Sequence, residues 1–128
     1  MKLVHISFVH RALKREYSQQ GESIFVELYT EVVRRGGGDA DLGRQLPAIA
    51  LAAGLGDVRW NVFQPVHASG PHKHMTAVTM ERIRPAVLRH GLATNEEIDS
   101  VIGGMHAFAE DSSTLVGMPR MVQVWGTA

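Results

Sequence analysis

The sequence predicts an α+β domain with a small three-stranded sheet and about four helices, and three observations carry that prediction. Segments that alternate at period two stand near the start, in the middle and at the end of the chain. Runs at helical spacing lie between them, and glycine or proline separates most neighbours. With 128 residues and 45% hydrophobic content, the chain suits one domain, 1–128, with a core of modest size.

Each element has its own local reason. Leu3, His5, Ser7 and Val9 alternate with the apolar Val4, Ile6 and Phe8, as a strand with one buried face does. Residues 11–20 are polar and Gly21 breaks them, so 1–21 reads as a strand and connector. Ser23 is placed to cap a helix on which Phe25, Leu28, Tyr29 and Val32 recur, and Gly36-Gly37-Gly38 stops it near residue 35. In the next stretch Pro47 fits the first turn of a short helix and Gly54 its end. DVRWNVFQPV then sets Val58, Trp60 and Val62 against Arg59 and Asn61, a strand closed by Pro65.

The loop HASGPHKHM is expected to be irregular. Thr79 can cap a helix bearing Ile83 and Val87, which Pro85 bends or delays and Gly91 ends. Thr94 to Glu97 reads T-N-E-E, a capping box, ahead of the regular stripe Ile98, Val101, Ile102, Met105 and Phe108. After Pro119, Met121, Gln123 and Trp125 alternate with Val122 and Val124 as a last strand.

Thirteen basic residues balance thirteen acidic ones, so no long-range field draws the chain to nucleic acid or anionic lipid, and neither is an expected partner. Cysteine is absent, which removes disulfides, thiolate metal sites and thiol nucleophiles and points to the cytoplasm. The opening MKLVHISFVHRALKR is interrupted by histidines and leads to no small-residue cleavage site, so it reads as part of the fold. No stretch approaches the ~20 apolar residues of a spanning helix. Near-zero charge favours self-association.

The ordered segments FVELYTEVVRRGGGDADLGRQLPAIALAAGLGDVRWNVFQPV and LATNEEIDSVIGGMHAFAEDSSTLVGMPRMVQVWG resemble the C-terminal, substrate-side half of class I S-adenosylmethionine-dependent small-molecule methyltransferases of the ubiquinone-biosynthesis-like group. The likeness covers roughly 25–126. It implies a truncated form of that fold, in which DVRWNVFQPV matches the sixth strand, RMVQVW the seventh, and KLVHISFVH stands in for the fifth. The last two strands of the family form an antiparallel pair beside the fifth. Cofactor binding in the family needs a strand followed by an E-x-G-x-G-x-G turn, and Gly36-Gly37-Gly38 follows a helix instead, as a cap would. The resemblance therefore implies no bound cofactor, no methyl transfer by this chain alone, and a bared sheet edge that a second copy or a partner chain covers.

The candidate chemistry centres on His67, His72 and His74, with Lys73, in the loop after the second strand. Histidine is a general acid or base near neutral pH, so His72 and His74 are the candidate catalytic residues. A plain solvated loop is the competing reading. H-x4-H-x-H matches no metal motif and no acidic residue completes one, so no metal is expected. Tyr29, Arg44, Gln64 and His67 are candidate substrate contacts, although Tyr29, with Trp60 and Trp125, also suits core packing and Arg44 can pair with Asp41. His5, His10 and His106 read as structural or surface residues, and Glu96, Glu97 and Asp99 as helix-start charges. No nucleophile elbow or phosphate loop occurs. Three functions fit: a cofactor-free small-molecule cyclase or isomerase of secondary metabolism, a binding module or substrate-side subunit of a split methyltransferase, or a truncated product without a role.

Overall fold

The structure, a computed structural model, describes residues 3–5 and 20–128, with side chains from residue 24 onward. The elements are β1 (Leu3–His5), α1 (Gln20–Arg35), a 3-10 turn at Leu42–Gln45, α2 (Leu46–Ala52), β2 (Gly56–Phe63) and β3 (Val66–His67). A second 3-10 turn at Pro71–His74, then α3 (Met75–Arg89), α4 (Asn95–Glu110), β4 (Val116–Gly117) and β5 (Met121–Thr127), complete the described chain. The architecture is α+β, with four α-helices and small sheets among the described residues. The chain divides into two compact units, one of residues 1–11, 39–65 and 117–128, the other of residues 12–38 and 66–116.

The first unit holds a sheet in the order β1-β5-β2, so the C-terminal strand is central and antiparallel to both neighbours. Leu3 faces Trp125 and Val4 faces Val124 on one side, while Trp60 faces Val124 and Val62 faces Val122 on the other. The ladder slips between Gly56 and Arg59, where β2 carries one residue more than β5. Asp57 takes up that slip with a φ of 46°, a left-handed conformation that Asp tolerates better than most side chains. Opposite it Gly126 is obligatory, because a Cβ there would stand 2.8 Å from the Gly56 carbonyl oxygen.

Helix α2 carries Pro47 in its first turn, and two residues past its end Gly54, with a φ of 83°, reverses the chain, as the sequence predicts. It lays Leu46 and Ala50 on Val124, with Leu42, Leu55, Val58 and Val122 around them. Seven residues make a helix only about 10 Å long, too short to cover the whole strand. Trp60 and Val62, on the same face by register, therefore stay 58% and 51% exposed. The core role that its apolar phase suggests for Trp60 is not what the fold gives it.

The second unit packs α1, α3 and α4 together. Its core is Leu28 from α1, Ala77, Met80 and Val87 from α3, and Ile98, Val101, Ile102 and Met105 from α4. Met80, Val87 and Ile98 are fully enclosed, each contributing roughly 1.5–3 kcal/mol of hydrophobic stabilisation. The α4 stripe is the predicted one, except that Phe108 is only half-buried and Ala109 takes the inner position. The capping box forms: the Glu97 N–H donates to Thr94 Oγ1 at 3.2 Å and the Thr94 N–H to Glu97 Oε2 at 2.8 Å. Arg84 ties α3 to α4, donating to Glu81, Asn95 and Asp99.

Two helix starts lie upstream of their predicted positions. Helix α1 begins at Gln20, so Ser23 lies within it. Helix α3 begins at Met75; Thr79 sits one turn inside and its hydroxyl donates to the Met75 carbonyl. The 3-10 turn ahead of α3 sets that start. Pro85 is carried on the exposed side of α3. The expected strand continuation over residues 6–9, the polar connector through residue 19, and His10 lie outside the described residues. No described helix is long and apolar enough to cross a membrane.

Candidate functional site

The loop after β2 is ordered by one buried cation. Gly70, with a φ of 85°, turns the chain into the 3-10 helix Pro71–His74, and the Lys73 N–H closes that turn on the Gly70 carbonyl. Successive residues of such a helix point about 120° apart. Here His72 faces solvent, Lys73 goes inward and His74 is half-buried. Lys73 is the one buried charged side chain among the described residues, at 4% exposure. Its ammonium donates to the Asp111 carbonyl at 2.8 Å, the Thr114 carbonyl at 2.9 Å and Thr114 Oγ1 at 3.0 Å, so all three protons are used.

Those acceptors belong to the turn that ends α4, where the partial negative end of the helix dipole favours a cation. The turn is itself braced. Asp111 Oδ1 accepts from the Ser113 hydroxyl and N–H, and these bonds, with a smaller contribution from Lys73, hold the Asp111 carboxyl below its ordinary range. Thr114 in turn donates its hydroxyl to the Phe108 carbonyl. Within the segment expected to be irregular, residues 68–70 are so, while Pro71–His74 form a short helix pinned to the end of α4.

The pinning places two histidine pairs. His72 stacks on His67, ring centroids 4.9 Å apart and planes 17° from parallel. His74 meets His106 of α4, with Nδ1 to Nδ1 at 2.7 Å and centroids at 5.0 Å. A bond at that distance needs one ring to donate from Nδ1–H and the other to accept at a bare Nδ1. Four of the seven histidines therefore stand in two pairs, with His72 and His74 separated by the buried Lys73. Among the described residues, no three His, Cys, Asp or Glu side chains gather as a metal site.

Of the other sequence-predicted contacts, Tyr29 belongs to the same unit, half-buried on α1 with its ring 5.8 Å from Phe25. Arg44 and Gln64 belong to the sheet unit and each has a local partner. Arg44 is 66% exposed and paired with Asp41 at 2.8 Å. Gln64 Nε2 donates to the Met118 carbonyl at 2.8 Å, beside the bond from the Met118 N–H to the Pro65 carbonyl. Gln64 is a staple between two chain segments.

His106 is the residue that sequence reasoning assigns otherwise. It follows Ile102 by one helical turn, at the rim of the α4 stripe. A polar side chain at the rim of an apolar stripe is the only local signal; its partner lies 32 residues away.

Compared with known proteins, the chain matches no family model, and no curated protein or solved structure aligns with it significantly.

Proposed function

We propose that this chain is a small-molecule tailoring protein of the secondary-metabolite kind, derived from the substrate-side half of a class I methyltransferase, that does not methylate by itself and acts as a cofactor-free isomerase or cyclase. The observation that carries the reading is the His74–His106 pair, joined at 2.7 Å between a loop fixed by a buried lysine and helix α4. Held imidazoles with a shared proton suit general acid–base work near neutral pH, which both reactions need.

The methyltransferase ancestry draws support from the antiparallel β2–β5 pair beside β1, the arrangement that the resemblance implies. Loss of cofactor binding draws support from Gly36-Gly37-Gly38. Their N–H groups close on the Val32, Arg34 and Val33 carbonyls, and Gly37 has a φ of 83°, so they stop α1 and do not follow a strand. Calorimetric titration with S-adenosylmethionine is expected to show no one-site binding; clear binding would sink the reading. Turnover of a candidate metabolite is expected to fall when His72→Ala and His74→Ala are combined. Undiminished turnover would remove both residues from the mechanism.

A second reading, a binding module or a subunit completed by a second chain, is favoured by β2. It pairs only with β5 among the described residues and exposes Trp60, Val62 and Phe63. A row of free backbone groups beside exposed apolar side chains invites a homodimer or a chain carrying the cofactor half. Light scattering at tens of micromolar distinguishes these, since a strict monomer excludes the homodimer and co-purification of a glycine-rich partner selects the split enzyme. The proposed compartment is the cytoplasm, with no nucleic acid or membrane partner.

A further inference from the structure

The Nδ1 corners of His74 and His106 point at each other across 2.7 Å, with ring centroids 5.0 Å apart. Nitrogen lone pairs that converge in this way take either a shared proton or a metal ion. In the neutral pair one Nδ1 holds the proton and the other is bare. Moving that proton to Nε2 of the same ring bares both Nδ1 atoms toward one point. Among the described residues neither Nε2 takes a further hydrogen bond, and no described side-chain nitrogen or oxygen is both buried and unbonded. Both Nε2 atoms therefore reach solvent, where water satisfies an N–H. Both rings are half-buried, so water also has access to the pair.

We propose that His74 and His106 form a two-imidazole site for a borderline divalent cation, zinc or copper(II), held through both Nδ1 atoms with water in the remaining positions. Tetrahedral zinc holds imidazole nitrogen at 2.0–2.1 Å, which sets two such ligands about 3.3 Å apart. The rings must tilt and part by roughly 0.6 Å from their 2.7 Å contact. The local charge suits a cation. The Glu81 carboxyl of α3 lies close enough to feel charge on His106. The Lys73 ammonium is turned away, because successive residues of a 3-10 helix point about 120° apart, and its three protons are taken by Asp111 and Thr114. His106 stands near the C-terminal end of α4, which also favours positive charge. The loop spacing H-x4-H-x-H lacks a metal motif because the second ligand lies 32 residues from His74. The site does not rest on the isomerase reading. Metal replaces the shared proton, so the occupied pair and the acid–base pair are alternative states of the same two rings.

Two measurements on the full chain test the site. The first is calorimetric titration near neutral pH with Zn²⁺, Cu²⁺ and Mg²⁺ in turn. One equivalent of Zn²⁺ should bind, Cu²⁺ should bind more tightly, and Mg²⁺, which prefers oxygen ligands, should give no site. His74→Phe and His106→Phe should each weaken Zn²⁺ binding by at least the ~10-fold that loss of even an outer-shell partner costs. The second needs no variant, and so decides the matter even if the phenylalanine proteins fail to fold. In protein labelled with 15N-histidine, long-range 1H–15N spectra without metal should show one of the two rings as Nδ1–H. Saturating Zn²⁺ should convert both to the Nε2–H form and shift both Nδ1 signals. Absence of Zn²⁺ binding, binding that both variants retain, or a ring that keeps Nδ1–H at saturating Zn²⁺ overturns the proposal.

Discussion

Replacing Lys73 by methionine isolates the contribution of the cation that anchors the histidine loop. Methionine keeps the unbranched apolar stem and removes only the ammonium, whose three protons go to the Asp111 and Thr114 carbonyls and the Thr114 hydroxyl. Each hydrogen bond to a charged donor contributes roughly 1.5–3 kcal/mol, and a carbonyl left buried and unbonded costs about 1–3 kcal/mol. Against these stands the several kcal/mol of desolvation that the buried ammonium no longer incurs. The balance is a loss of ~2–4 kcal/mol, or a fall in Tm of roughly 6–16 °C for a chain of this size. Urea denaturation with paired hydrogen exchange at residues 111–114 measures it. Thr114→Val, which removes one acceptor and one donor but neither carbonyl, should cost only ~1 kcal/mol. A Lys73→Met protein within about 0.5 kcal/mol of wild type would refute the claim that this ammonium holds the loop.

Three further outcomes follow from local geometry. Gly126→Ala places a Cβ 2.8 Å from the Gly56 carbonyl oxygen and 3.2 Å from Leu55 Cβ; it should cost about 1–3 kcal/mol, with faster amide exchange along β5, and unchanged exchange there would show that the bulge yields. Thr94→Ala opens the capping box at the head of α4 and should cost ~1 kcal/mol in chemical denaturation, a value near zero meaning that Glu97 alone suffices. Hydrogen bonds from Arg34, then Arg35, lower the Glu31 carboxyl from 4.5 to about 2. A carboxyl depressed in the folded state stabilises above its unfolded value and loses that effect as pH falls from about 4.5 through about 2. A 13C-detected titration of Glu31 should show the low midpoint, rising in 1 M salt because the pair is exposed; an ordinary midpoint in low salt would contradict the pairing.

Much of the fold is legible where one stretch of chain contains its own reason. The capping box at Thr94, the stripe from Ile98 to Met105, the glycine stop after α1 and the proline start of α2 each depend on residues within about two turns of one another. The strand at Met121–Thr127 is readable from its alternation. The start of α3 is not, because Thr79 is a good cap by type while the chain enters the helix from a 3-10 turn that a buried lysine holds in place. Trp60 misleads for a related reason: alternation says which face a residue shares, and only the length of α2 says whether that face is covered.

The sequence by itself determined the class of the fold, the positions of most helices and strands, and the concentration of histidines at 67–74, since periodicity, caps and turn residues act over short separations. The tertiary structure alone decided that β5 lies between β1 and β2, that Lys73 turns inward, and that His74 finds His106 rather than its sequence neighbours. Those outcomes depend on which faces meet when helices and strands bury their apolar sides. Contacts that span 32 or 41 residues leave no periodic trace in the chain that makes them.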